Sequence, residues 1–163
     1  MSEIFLIGDT HFGHPLMMTL REFPTVEAMD EEMISRWNSV VRPHDKVYHL
    51  GDVVMRTKSF PLIARLNGTK RLIRGNHDIY RTRKYLEYFK EIYGVRILDK
   101  LCLSHIPIHP NSLPRYASNA HGHLHANSLP DPRYLCLSWE RLGGIPITLG
   151  EARTRLIMQG GEK

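Results

Sequence analysis

Five short blocks of metal-ligand type recur along this chain: Asp9-x-His11, Gly51-Asp52, Gly75-Asn76-His77-Asp78, Ser104-His105 and Gly122-His123-Leu124-His125. Singly, each is an ordinary loop sequence, because Asp or Asn beside Gly is a turn former and a His beside a strand is usually a hydrogen-bonded structural residue. Jointly they offer imidazole, carboxylate and one amide oxygen without thiolate, a donor set that suits manganese, iron, nickel, cobalt or zinc better than calcium or magnesium alone. Two divalent ions about 3.5 to 4 Å apart can neutralise a phosphoryl group, align attack on it and bring the pKa of bound water towards about 7. Hydrolysis of a phosphate ester is the chemistry such residues could do.

The elements around these blocks must bring them together. Residues 4–7 are continuously apolar, as in a strand buried on both faces, and Gly8-Asp9 ends it. Val26, Met29, Met33, Trp37 and Val40 recur at spacings of three and four, predicting an amphipathic helix from Thr25 onward with Trp37 in the core. A second strand over 46–50 ends at Gly51-Asp52, a short helix covers 60–66, and a third strand over 71–73 ends at Gly75-Asn76. This alternation is the βαβ pattern, in which ligands collect beyond the carboxyl ends of strands.

Further on, a helix is expected over 80–93, stopped by Gly94, then two strands, 95–98 and 100–104, around an Asp99 turn. The proline-bearing stretch 107–120 reads as a loop walling the site, and 133–138 as another strand. Thr148 with Glu151 makes a capping-box start for a last helix reaching about Met158, and the tail from Gly160 to Lys163 is expected to fray. If the ligand segments are extended, Asp9 with His11, and His123 with His125, face one side, while Leu124 turns away into apolar surroundings.

The five blocks, in this order, resemble the signature of the calcineurin-like metallophosphoesterase superfamily: D-x-H, G-D-x-x, G-N-H-D/E, H and G-H-x-H, all intact between Asp9 and His125. The resemblance implies a small α/β domain over 1–163, a four-layer α-β-β-α sandwich with two mixed β-sheets. It also implies two divalent metal ions, one on Asp9, His11 and His125, the other on Asn76, His105 and His123, with Asp52 bridging. Manganese is the ion expected to activate, with iron, zinc, nickel or cobalt as alternatives. In such a site a hydroxide between the metals attacks phosphorus in line. His77 resembles the histidine that faces the substrate and donates a proton to the leaving oxygen. Asp78 would orient the loop or an imidazole from behind, and His14 would line the pocket. Arg56 falls where some members carry a phosphate-binding arginine, but Met55 and Thr57 replace the flanking Asp and Gly of that version.

The chain as a whole is compatible with this. Its 163 residues, 42% hydrophobic and 24% charged, suit one compact globular domain rather than a disordered or membrane protein. The start shows no cationic leader or long apolar run, and Cys102 and Cys136 read as buried, reduced strand residues, so a cytoplasmic location is expected. The net charge of +5 fits an anionic substrate. Much of it lies in Lys70, Arg71, Arg74, Arg81, Arg83 and Lys84, which read equally as a solvated face or a phosphate-binding run.

Three functions stay open at this point. The leading one is a phosphoesterase, with phosphodiesters or nucleotide-like small molecules favoured over monoesters because few insertions leave the site open. The second is a non-catalytic scaffold of the same fold. The third is a nucleic-acid enzyme or binder using the basic run, although no aromatic stacking array is interleaved with those cations. Oligomeric state is not encoded in any feature above.

Overall fold

The computed structural model describes residues 1–162; Lys163, the end of the tail expected to fray, lies outside them. Two sheets carry the fold. The first has the order β4-β3-β2-β1-β9, built from β1 (Ile4–Ile7), β2 (Lys46–His49), β3 (Thr69–Ile73), β4 (Glu91–Tyr93) and β9 (Ile147–Thr148). Its first four strands run parallel, and β9 closes the edge antiparallel to β1. The second has the order β5-β6-β7-β8, from β5 (Val95–Leu98), β6 (Leu101–Ser104), β7 (Ser118–His121) and β8 (Tyr134–Cys136). Here β5 is antiparallel to β6, and the rest are parallel. The protein is thus α/β with two mixed sheets and flanking helices: α1 (Pro15–Leu20), α2 (Val26–Val40), α3 (Phe60–Ile63), α4 (Thr82–Tyr85) and α5 (Leu149–Met158).

Local sequence explains most of these elements. Thr25 caps α2 by accepting from the Ala28 amide at 3.0 Å, and the Met29, Met33 and Trp37 stripe is buried. Trp37 keeps its indole N–H satisfied on the Asn67 carbonyl at 3.0 Å. Thr148 caps α5 by accepting from Glu151 N. Asp99 and Lys100, both at positive φ, make the two-residue turn between β5 and β6. Cys102 and Cys136 are both buried and free. No described helix is long and apolar enough to cross a membrane.

Three expectations are corrected. The helix over 80–93 shrinks to the single turn of α4, because 91–93 are drawn into the first sheet as β4, in register Arg71↔Glu91, Leu72↔Ile92 and Ile73↔Tyr93. The Arg71 guanidinium reaches Glu91 across that pair at 2.7 Å. The presumed loop 107–120 holds a 3-10 turn over Pro110–Arg115 and then β7, which is wholly buried although its sequence is Ser-Asn-Ala-His. Asn119 is tolerated there because its amide donates to Cys102 O at 2.8 Å and accepts from Ile108 N at 3.0 Å. Up to Glu162 the tail is docked rather than frayed: Glu162 pairs with Arg153 at 3.2 Å and accepts from the Ser118 hydroxyl.

The sheets are stitched at the ends where the ligand blocks emerge. Gly8 N donates to Leu137 O at 2.8 Å and Trp139 N to Gly8 O at 3.0 Å, while Gly122 N donates to His105 O at 3.0 Å between the two ligand loops of the second sheet. Each block begins just after a strand: Asp9 after β1, Asp52 after β2, Asn76 after β3, His105 after β6 and His123 after β7.

Candidate metal centre

The donor side chains gather into two groups. Ligand atoms of Asp9, His11 and His125 lie within 4.8 Å of one another, and so do those of Asp52, His105 and His123. Asn76 joins the second group, its Oδ1 lying 2.8 Å from His105 Nε2 and 3.0 Å from His123 Nδ1. Asp52 Oδ2 stands 3.3 Å from His105 Nε2 and 3.7 Å from His11 Nε2, so one oxygen faces histidines of both groups.

The segments carrying the donors are not extended. Asp9, His11, Asp52, His123 and His125 have φ of 58°, 51°, 59°, 70° and 52°. The simple alternation expected for Asp9 with His11 and His123 with His125 therefore gives way to tight left-handed turns, and Leu124 is half-buried beside an apolar cleft. The motif glycines supply the room. A Cβ on Gly51, itself at φ +93°, would lie 2.6 Å from His105 Nδ1 and 2.7 Å from Gly75 Cα. One on Gly122 would lie 2.5 Å from Asp9 Oδ2.

Partners behind the donors fix their orientation. His105 Nδ1 donates to Leu50 O at 2.6 Å, which leaves Nε2 turned to the cluster. His125 Nδ1 meets Glu140 Oε2 at 3.2 Å, and Glu140 is gripped by Arg21 at 2.7 Å. Arg21 also donates to Asp9 O at 2.6 Å and Thr10 O at 2.8 Å, and lies 4.4 Å over the Trp139 ring. Asp78 accepts from the amides of Asp52, Val53 and Gly75 at 2.9, 3.0 and 2.8 Å, clamping two ligand loops together. His49 is fully buried between the first two loops; Gly51 N donates to its Nδ1 at 3.2 Å, so Nε2 carries the proton towards Thr10 Oγ1 at 3.0 Å.

The electrostatics are those of a site short of positive charge. Burial pushes Asp9 up to about 6, against the pull of His105. Burial lowers His11 to about 3 despite Asp52. For Asp52 burial works upward, but the hydrogen bond and charge of His105 prevail and bring it to about 2. His105 is driven down by burial and raised overall by Asp52, so a proton and a cation would compete for its ring. Both ring nitrogens of His11 are buried without a hydrogen-bond partner, which few native imidazoles tolerate. An unpartnered imidazole beside two carboxylates fits a bound divalent cation.

The remaining candidates lie around the rim. His77 is exposed, its ring centroid 5.7 Å from that of His11, and its backbone N donates to Asp52 Oδ1 at 2.9 Å. His14 is half-buried with its ring 5.5 Å from His11. Arg56 is exposed at the start of a 3-10 turn over Thr57–Ser59. Sequence reasoning missed Arg21 and Glu140; no motif surrounds them, and only the pairing of their charges in three dimensions reveals them.

Comparison with known proteins follows the geometry. The family model for calcineurin-like phosphoesterases matches residues 2–152. An uncharacterised protein of Methanocaldococcus jannaschii is 38% identical over 139 residues, 80% of this chain and 74% of that protein. The gene 66 protein of Mycobacterium phage L5 is 36% identical over 84 residues, 48% of this chain and 41% of its own length. A crystal structure of a protein of unknown function from Aquifex aeolicus superposes with a TM-score of 0.75 at 25% identity, covering 94% of this chain and 99% of that one.

Proposed function

This chain belongs to the calcineurin-like phosphoesterase family, and from that premise we propose that it is a single-domain, two-metal phosphoesterase. Asp9, His11 and His125 would hold one ion, Asn76, His105 and His123 the other, and Asp52 would serve both. The observation that carries this reading is Asp52 Oδ2, within 3.3 and 3.7 Å of histidines from the two groups. When bound, the ions supply charge neutralisation and water activation at neutral pH. Manganese is the activating ion we expect, and iron, zinc, nickel or cobalt share the preference of this donor set.

The chain's own groups do the rest. His77, open to solvent beside His11, donates a proton to the departing ester oxygen. Asp78 and the His77 amide hold Asp52 in place, and substrate oxygens are assigned to His14, whose ring lies 5.5 Å from that of His11, and to the exposed Arg56. Because Asn76 and His77 are exposed and His123 and His125 only half-buried, a phosphodiester or nucleotide-like ester fits better than a small, enclosed monoester. Two free buried thiols suit the reducing cytoplasm.

The test compares metal content with turnover of phosphodiesters and monoesters. His77→Gln should keep both ions and lose about 10² to 10⁴ in kcat; Asp52→Ala should lose metal as well. Unchanged turnover in His77→Gln would remove its role, and no metal-stimulated hydrolysis of any ester would leave a non-catalytic scaffold.

A further inference from the structure

The large exposed hydrophobics of this protein include Ile106, 53% exposed, and Leu129, 37% exposed, and both line one cleft of about 520 Å³. Pro107, Ile108, Leu124 and Tyr134 add to its apolar wall, and His109 and His123 also line it. The cleft adjoins the second metal group: Ile106 follows His105, Leu124 follows His123, and the His123 ring belongs to both.

Its floor is made with care. Ser104 Oγ donates to Ile106 O at 2.7 Å, Tyr134 OH donates to Ile108 O at 2.7 Å, and Asn119 Oδ1 accepts from Ile108 N at 3.0 Å. Three polar backbone groups of 106–108 are therefore engaged by side chains of the neighbouring strands, and the segment lends its apolar side chains to the cleft. The Asp131 carboxylate at the border is held by Arg133 at 2.6 Å. A concave, largely carbon-lined surface binds an apolar group and offers little to hydrogen-bonding edges.

We propose that this cleft receives the organic group of the ester, and that the group is apolar and aryl in character, which keeps the phosphodiester branch of the reading above and sets aside the nucleotide-like one. This rests on the phosphoesterase reading for its anchor, since the phosphoryl end would sit at the metal donors, and it narrows the substrate class. Ile106 and Leu129 are the specificity determinants.

Two readouts separate the cleft from the chemistry. The first is equilibrium binding of fluorescent 2-naphthyl phosphate and of a nucleoside monophosphate to the manganese-loaded protein. Naphthyl phosphate should bind more tightly, and Ile106→Ser with Leu129→Ser should weaken it about tenfold or more, in line with loss of apolar pocket contacts, at unchanged metal content. The second is the ratio of kcat/KM for a phenyl over a methyl phosphodiester, which should fall about tenfold in the same variant. Tighter binding of the nucleotide, or no change in naphthyl affinity, overturns the proposal. Tight naphthyl binding without hydrolysis of any ester overturns the catalytic reading and leaves the cleft standing.

Discussion

Five of the seven proposed donors sit in the left-handed region, where a side chain costs about 1 to 2 kcal/mol relative to the right-handed one. Strain of this kind gathers where function over-determines the backbone. His123→Gly removes a half-buried ring and relieves one such residue, so in chelator the variant should melt about 2 to 4 °C higher than the parent. A lower melting temperature would show that the ring's contacts outweigh the strain. Behind His125, Glu140 supplies a carboxylate that is itself held well below its ordinary range: burial works upward, but His125 and Arg21 bring it to about 2. Glu140→Gln keeps the shape and removes the charge, and divalent affinity at the first group should fall about 10- to 100-fold in a calorimetric titration. The gathering of the proposed donor side chains was legible in the sequence because their spacing is a pattern. Glu140 and Arg21 were not, because a pair 119 positions apart leaves no local trace.

Among the elements, those with both a periodic apolar stripe and a cap, α2 and α5, were readable from residues alone. β4 was not: Tyr85, Phe89 and Ile92 repeat at helical spacing, yet an unfilled position beside β3 and a cross-strand Arg71–Glu91 pair won over local preference. β7 was hidden because its buried polar residues look like loop until Asn119 finds its partners. The join between the β1 and β2 loops has a pH signature. Burial takes His49 from an ordinary 6.5 to about 3, and its Nδ1 accepts from Gly51, so protonation costs that hydrogen bond. A folded value below the unfolded one means stability is intact above about pH 6.5 and drains as pH falls towards 3. Melting temperatures in chelator should decline over that window, as His11, lowered to about 3, and His121, lowered to about 4, contribute in the same direction and, with His49, outnumber the opposing carboxyls Asp9 and Asp30, each raised by burial to about 6. The decline should be shallower in His49→Gln; an identical slope would assign the effect elsewhere.

At the scale of the molecule, the basic run that read two ways in the sequence is largely spent inside the structure. Lys70 donates to Leu66 O and Gly68 O, Arg71 pairs with Glu91, Arg74 binds the carbonyls of Asp78 and Tyr80, and Lys84 pairs with Glu87. Within that run Arg81 and Arg83 remain exposed. Oligonucleotide binding should therefore show a log-log salt slope no steeper than about −2; a slope several times steeper would revive the nucleic-acid reading.

The missing Cβ atoms at Gly51, Gly75 and Gly122 have one more consequence. At Gly75 a methyl would lie 2.2 Å from Asp52 Oδ1, and at Gly51 it would meet both His105 and Gly75. Loops from two sheets thus mesh at van der Waals distance, and none can shift without pushing its neighbours. The cage behaves as one mechanical body, so a side chain added at any one of these glycines should disturb the neighbouring loops together rather than its own turn alone.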